Sequence, residues 1–290
     1  MENSRNARPP AQGVYYENYL VRSYETGPDG RACPAALCRY IEDMAGAHAS
    51  LLGSGLQDLL AQGCTWVLSR LRVRFFRRPA YREEVFGETW PTGIDRLLAL
   101  RDFLIRDRED RILAAGNSAW LIIDLEKRRP QRPGPFVEKF FINPRRALNL
   151  AGGGAENGEV SAPRLEYPGG GEKTAGLRVP YSALDLNNHV NNVNYITWAL
   201  DALGPEFRGG GEIADLGVNF LSECRCGENI QIHTVERPGP PDIAGTGQTG
   251  ALETVVSQKI TRRAPETKPE TPGDPEAPVC LVESRFQKTG

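Results

Sequence analysis

Apolar and polar positions recur with two different periods along this chain, and those periods predict its elements. Trp66 to Phe76 alternates, with Leu71, Val73 and Phe75 on one side and Arg70, Arg72 and Arg74 on the other, which predicts a strand. An earlier strand is predicted over Tyr15 to Tyr24, followed by a turn at Gly27-Pro28-Asp29-Gly30. Ile41, Met44, Ala45 and His48 recur at helical spacing and Pro34 suits a first helical turn, so a helix is predicted from Pro34 to about Leu52. Glu84 to Thr89, Leu97 to Arg106 and Ile112 to Leu125 read as further strands, and Lys127-Arg128-Arg129-Pro130 is expected to end the sheet.

The same order then returns. Gly176 to Tyr181 reads as a strand, Asp185 to Asn188 as a turn, and Asn191 to Leu203 as a helix with Val193, Ile196, Ala199, Leu200 and Leu203 among its apolar positions. Strands follow at Asp215 to Cys224, Asn229 to Val235, Leu252 to Thr261 and Val279 to Phe286. A glycine-rich stretch over 151–175 separates the halves, and its runs Gly152–Gly154 and Gly169–Gly171 suit neither a helix nor a central strand. The expected organisation is therefore a disordered N-terminus over 1–14, a first domain over 15–150, a linker over 151–175 and a second domain over 176–290. Residues 237–250 and 264–278 are rich in Pro and Gly and read as loop insertions. A long helix followed by several strands joined by turns, twice over, is an α+β plan of two sheets that each wrap a helix.

Composition narrows the function classes. The 290 residues carry a formal net charge of −2 with 40% hydrophobic and 25% charged residues, an ordinary globular balance with no charge excess for nucleic acid. No run reaches the length of a membrane span, and the polar N-terminal stretch has no apolar signal core, so a cytoplasmic protein is expected. Six scattered cysteines form no Cys-x-x-Cys pair, which argues for reduced thiols and against a zinc site, and no metal or cofactor is expected.

The chemistry concentrates at Asp185-Leu186-Asn187-Asn188-His189-Val190-Asn191-Asn192, just before a predicted helix. Turn formation and capping account for the asparagines equally well. His189 is one of three histidines, with His48 and His233. A calcium loop is excluded, because the sixth and twelfth positions from Asp185 are Val190 and Ile196 where glycine and a carboxylate are required. Unpaired N–H groups at the start of the helix would suit a developing oxyanion. A base, a carboxylate and an electrophile-binding helix end together point to acyl transfer to water.

The stretch Asp185 to Tyr195 resembles the signature of the acyl-acyl-carrier-protein thioesterases of plants and bacteria. Thr65 to Arg70, Thr89-Trp90-Pro91-Thr92-Gly93 and Ala119 to Asp124 are similar to that family's N-terminal half, and Glu223-Cys224 follows His189 at the family's distance. The resemblance covers most of residues 15–235. It implies two tandem hotdog domains, each an antiparallel sheet wrapped round a long central helix, with the acyl pocket in the first and the catalytic residues in the second. It implies the catalytic set Asp185, Asn187, His189 and Glu223, with Cys224 as the alternative nucleophile of an older papain-like scheme. It also implies hydrolysis of fatty acyl-acyl-carrier-protein thioesters. Acyl-CoA hydrolysis, or acyl-thioester binding without catalysis, are the alternatives.

Strand alternation sets Cys224 with Val218 and Phe220 and sets Glu223 with Asn219 and Leu221. If Val218 and Phe220 face the helix, parity favours Cys224, and a bulge near Ser222 reverses it. Leu37, Ile41 and Met44 are candidates to line the acyl tunnel, or plain core. His48 is expected to be a packed or surface histidine, and His233 has no assigned role. Acyl carrier proteins are acidic, so Arg70, Arg72 and Arg74, with Arg77, Arg78 and Arg82 beyond them, are candidates for a docking face or simply a solvated one. Two domains in one chain allow a monomer, and a homodimer stays open.

Overall fold

The computed structural model describes residues 13–152, 162–204, 207, 211–239, 252–263 and 277–288. The expected disordered terminus, the centre of the linker and most of both insertions lie outside the described residues, apart from Gly13 and Val14 at the terminus and the insertion edges. The chain divides into two compact units. One comprises residues 1–68 and 75–161, and the other comprises Ser69–Arg74 with residues 162–290.

In the first unit, β1 (Tyr15–Leu20) leads through a short 3-10 turn to α1 (Pro34–Leu51) and α2 (Leu56–Leu60). Then come β2 (Cys64–Phe75), β3 (Glu84–Asp95), β4 (Leu98–Arg106), β5 (Ile112–Asp124), β6 (Arg129–Gln131), α3 (Gly134–Val137) and α4 (Ala147–Leu150). The strands β1, β3, β4 and β5 lie side by side, all antiparallel. The sheet does not end at Lys127 to Pro130 as expected. Arg128 takes a left-handed φ of 55°, which closes a turn and lets β6 pair back onto β5. β1 also stops short of Tyr24, because the Glu25 carboxylate accepts the Arg22 N–H and the Tyr40 hydroxyl and bends the chain toward the helix.

Helix α1 is apolar on most of its circumference, so it is buried. Leu37, Ile41 and Met44 are all at most 2% exposed. Met44 seats where β3 carries Gly87, since a Cβ at that position would collide with the Met44 sulfur. Pairing of Thr89 with Phe103 and of Arg101 with Ser118 puts Thr89, Arg101 and Phe103 on one face of the sheet. The hydrogen bond between Arg101 and His48 shows that this face meets α1. The opposite face carries Trp90, Leu104 and Ala115, which cluster with Val14 and with Ala147 of α4.

In the second unit, β7 (Glu172–Arg178) leads through a 3-10 turn at Tyr181–Ala183 to α5 (Asn192–Asp201). β8 (Gly211–Phe220), β9 (Asn229–Pro238), β10 (Leu252–Arg263) and β11 (Pro278–Lys288) follow. The antiparallel order is β7, β9, β10, β11, β8, with Arg70 to Arg74 of β2 paired on the far side of β8. β7 begins inside the stretch expected to be a linker. Gly169, Gly170 and Gly171 all take left-handed φ and turn the chain directly into it. Helix α5 lies against β10 and β11 and is pinned by Gln258, which donates to the Ala199 carbonyl at 2.8 Å.

Candidate active site

Each unit builds the same entry to its helix: a strand, a 3-10 turn, a tight turn closed by an isolated β-bridge, and then the helix. The bridges are Thr26 to Ala32 in the first unit and Leu184 to Val190 in the second. Gly30 and Asn188 occupy matching positions with φ of 70° and 60°. In that register Asp185, Asn187 and His189 correspond to Gly27, Asp29 and Arg31. The N–H of Ala32 bonds to the Pro79 carbonyl and that of Val190 bonds to the Cys224 carbonyl, so Glu223 corresponds to Arg78. In the first unit Arg78 pairs with Asp29, and Arg31 donates to the Arg78 carbonyl. One scaffold thus carries a carboxylate–histidine set in one copy and an arginine–aspartate set in the other.

The turn itself is organised by Asp185. Its Oδ1 accepts the N–H of Asn187 at 2.8 Å and that of His189 at 3.4 Å, while its own N–H bonds to the His189 carbonyl. This is the aspartate-centred turn that the residue type favours, and it aims His189 outward. His189 Nε2 lies 3.2 Å from Glu223 Oε2, and the two side chains are 18% and 40% exposed. Asn187 is exposed, and its backbone N–H is the group tied into the turn.

Glu223 reaches His189 because the strand has already ended. β8 stops at Phe220, and the N–H groups of Leu221 and Ser222 both bond to the Val279 carbonyl. Two residues thus face one partner, the irregularity that reverses side-chain parity. Val218 and Cys224 are fully buried, and Phe220 meets Tyr195 edge-on. Parity therefore holds for Val218 and Phe220 and fails to carry Cys224 to the histidine. Burial pushes the Cys224 thiol above its ordinary value. Its N–H donates to the Tyr195 hydroxyl at 3.0 Å.

Arg262 of β10 is a contributor that the sequence reading missed. It donates to the Glu223 carbonyl and lies 3.2 Å from Glu228 Oε2, so it braces the loop that carries the carboxylate. Nothing local to Arg262 signals this role, because the loop it braces lies far away in sequence. Tyr195 lies inside the recognised stretch, but only the tertiary fold shows that it holds Cys224.

The start of α5 departs from expectation. Asn191 caps the helix, its Oδ1 accepting the Val193 N–H at 3.0 Å, and its carbonyl takes the Asn194 N–H. Those two donors are satisfied within the protein and are not presented to a substrate.

The arginine expectations also change. Arg72 and Arg74 are each 8% exposed, and both reach the buried Asp215, at 3.2 Å and 3.5 Å. Neither forms a docking or a solvated face, because β8 supplies a buried carboxylate opposite them. Arg70 is half-buried and donates to the Ala162 carbonyl. Arg77 pairs with Glu83 and Asp107, and Arg82 is exposed. His48 is packed: it is buried, stacked on Tyr15 and held by Arg101, and burial followed by the Arg101 charge pushes its pKa down to about 4. His233 is half-buried on β9.

Residues 12–137 match the acyl-ACP thioesterase N-terminal domain, and residues 170–264 match the acyl-ACP thioesterase C-terminal domain. A chloroplastic palmitoyl-acyl carrier protein thioesterase of Gossypium hirsutum is 29% identical over 222 residues, covering 73% of this chain and 52% of that protein. A chloroplastic oleoyl-acyl carrier protein thioesterase of Arabidopsis thaliana is 26% identical over 82% of this chain and 67% of its own length. The chain spans about half the length of several curated relatives it matches. Among solved structures, an acyl-ACP thioesterase from Bacteroides thetaiotaomicron superposes with a TM-score of 0.74 at 21% identity, covering 94% of this chain and 97% of the other. A 12:0-ACP thioesterase from Umbellularia californica gives 0.74 at 20% identity over 95% and 94%. At that identity the likeness shows the fold, two tandem hotdog domains.

Proposed function

The chain belongs to the acyl-ACP thioesterase family, and on that premise we propose that it hydrolyses fatty acyl thioesters carried on acyl carrier protein, releasing the free fatty acid. The observation that carries this reading is the His189 Nε2 to Glu223 Oε2 contact of 3.2 Å at a partly exposed turn. Glu223 accepts a proton from water as the water oxygen attacks the thioester carbonyl carbon. The tetrahedral intermediate collapses with loss of the thiolate, which takes up that proton. His189 orients the Glu223 carboxylate and the departing sulfur. Asp185 holds the turn that aims His189, and Asn187, exposed beside it, contacts the carbonyl in this scheme. Cys224 is a packing residue in this scheme, since a buried thiol with a raised pKa is a poor nucleophile.

The first unit supplies the acyl pocket in this reading, with Leu37, Ile41 and Met44 along its helix. Six free cysteines suit a reducing compartment such as the cytoplasm. No helix among the described residues is long and apolar enough to cross a membrane.

The test compares turnover of matched acyl-carrier-protein and acyl-CoA substrates by wild type, Glu223→Ala and Cys224→Ala. Glu223→Ala is expected to lose about two orders of magnitude or more in kcat, with Cys224→Ala within a few-fold of wild type. The reverse order would overturn the assignment, and no hydrolysis of either substrate by wild type would overturn the activity.

A further inference from the structure

Two segments of the second unit, 178–190 and 221–228, carry the His189–Glu223 pair and adjoin each other. The Val179 N–H bonds to the Glu228 carbonyl, the Gly227 N–H to the Val179 carbonyl and the Val190 N–H to the Cys224 carbonyl. Three large side chains on these segments are left in solvent: Leu186 is 90% exposed, Tyr181 82% and Leu221 52%. The turn does not call for Leu186. Its hydrogen bonds use Asp185 Oδ1 with the N–H groups of Asn187 and His189, and its left-handed residue is Asn188. A single exposed leucine is ordinary, but three such side chains on the two segments that frame a partly exposed site mark a contact surface. Charge on the same segments is one-sided. Their three carboxylates are committed: Asp185 to the turn, Glu223 to His189, and Glu228 to Arg262 and the Arg225 N–H. Arg178 and Arg225 are exposed. Arg178 donates through Nε to the Gly227 carbonyl at 3.2 Å, which sets its guanidinium beside the 221–228 segment. The charge offered to solvent around the site is therefore positive.

We propose that these two segments form a docking surface for an acidic protein face with an apolar patch, in which Leu186, Tyr181 and Leu221 take the apolar contact and Arg178 and Arg225 take carboxylates. The inference rests on the carrier-protein reading given above, which makes the carrier the occupant. Guanidinium forks bind carboxylates in two-point geometry, and exposed cations steer an oppositely charged partner before contact. Apolar side chains at the centre of such a contact supply affinity once water is excluded from them. A partner seated here brings its thioester to His189 and Glu223, because the docking residues and that pair share the same two segments. The arginines expected to do this from the sequence, Arg72 and Arg74, are instead buried on Asp215.

Docking and hydrolysis are measured separately on the full chain. Unacylated carrier protein is titrated onto it at equilibrium, and turnover is compared between an acyl-carrier-protein and the neutral acyl-pantetheine of the same chain. The double variant Arg178→Glu, Arg225→Glu is expected to weaken carrier binding about 10-fold or more and to raise KM for the acyl-carrier-protein to match. Its turnover of acyl-pantetheine should stay within about two-fold of the parent, since that handle offers no protein face. Replacing both arginines by Gln should give a smaller loss in the same direction, and Leu186→Ser should weaken carrier binding by about 10-fold with little dependence on salt. Carrier binding that the charge reversals leave unchanged would overturn the surface, as would an equal loss with acyl-pantetheine. Self-association of the parent that Leu186→Ser abolishes, without carrier binding, would assign the surface to a second copy of the chain and overturn the carrier. If the parent hydrolyses neither substrate, the hydrolytic reading fails and the carrier titration still decides the surface.

Discussion

His189 and Glu223 meet at 3.2 Å because Leu221 and Ser222 spend two N–H groups on the single carbonyl of Val279. That irregularity turns Glu223 toward the histidine and Cys224 into the interior. The pair is also braced from behind, since Arg262 donates to the Glu223 carbonyl and Tyr195 accepts from the Cys224 N–H. Replacing Arg262 by Met should therefore lower kcat by about 10-fold to 100-fold, the effect of a small displacement of a reacting group. KM should change little. Steady-state kinetics decide it, and a change confined to KM would place Arg262 in substrate binding instead.

Asp185 has a structural duty that its charge does not perform alone. An asparagine there would keep an oxygen for the N–H groups of Asn187 and His189. Asp185→Asn should hold its Tm within a few degrees of wild type. If the negative charge serves the chemistry, kcat still falls by about two orders of magnitude. A wild-type rate in this variant would leave Asp185 a turn residue only.

Asp215 neutralises two buried guanidiniums at once. Asp215→Ala removes the carboxylate that both guanidiniums contact, and the expected loss of stability is about 3 to 5 kcal/mol. Replacing Arg74 by Met leaves the Arg72 pair intact and should cost clearly less. Urea unfolding of the two variants tests the order. A smaller loss for Asp215→Ala than for Arg74→Met would show that the pair contributes little.

Gly87 is small because Met44 lies over it. In a strand interior alanine ordinarily improves on glycine, but here Gly87→Ala should lose about 1 to 3 kcal/mol through overpacking. The loss should shrink when Met44 is also shortened to Ala. A double-mutant cycle with no coupling would show that the helix has room to shift.

Two buried groups of the first unit oppose each other in pH dependence. Burial and Arg101 push His48 from 6.5 to about 4, while burial pushes Asp102 from 3.8 up to about 6. Between about pH 6.5 and 4 the unfolded chain protonates its His48 and the folded one does not. Acidification through that window therefore costs stability, up to roughly 3 kcal/mol. Asp102 acts in reverse: the folded carboxyl keeps a proton that the unfolded one has lost, so its contribution is present at low pH and disappears as pH rises through about 6. The two slopes offset each other between pH 4 and 6. His48→Gln should remove one of them, leaving a protein that loses stability relative to wild type as pH rises across that interval. Unfolding measured at several pH values checks this, and a variant profile parallel to wild type would contradict the burial of a neutral His48.

Much of this protein is written locally. The alternation of Trp66 to Phe76 and the helical recurrence of Ile41, Met44, Ala45 and His48 depend on neighbours in sequence, and both elements lie where those periods put them. The Asp185 turn is local as well, since its hydrogen bonds span four residues at most. Other features depend on partners far along the chain. Alternation gave Arg72 and Arg74 one face, but whether that face meets water or Asp215 is decided by the strand paired beside it. Parity along β8 favoured Cys224 until β11 set where the strand stops. Arg101 reads as an ordinary charged residue in a strand until α1 brings His48 onto it. Periodicity fixes which way a side chain points within its element, whereas burial and charge compensation depend on what the fold packs opposite, and that is a property of pairs of distant segments.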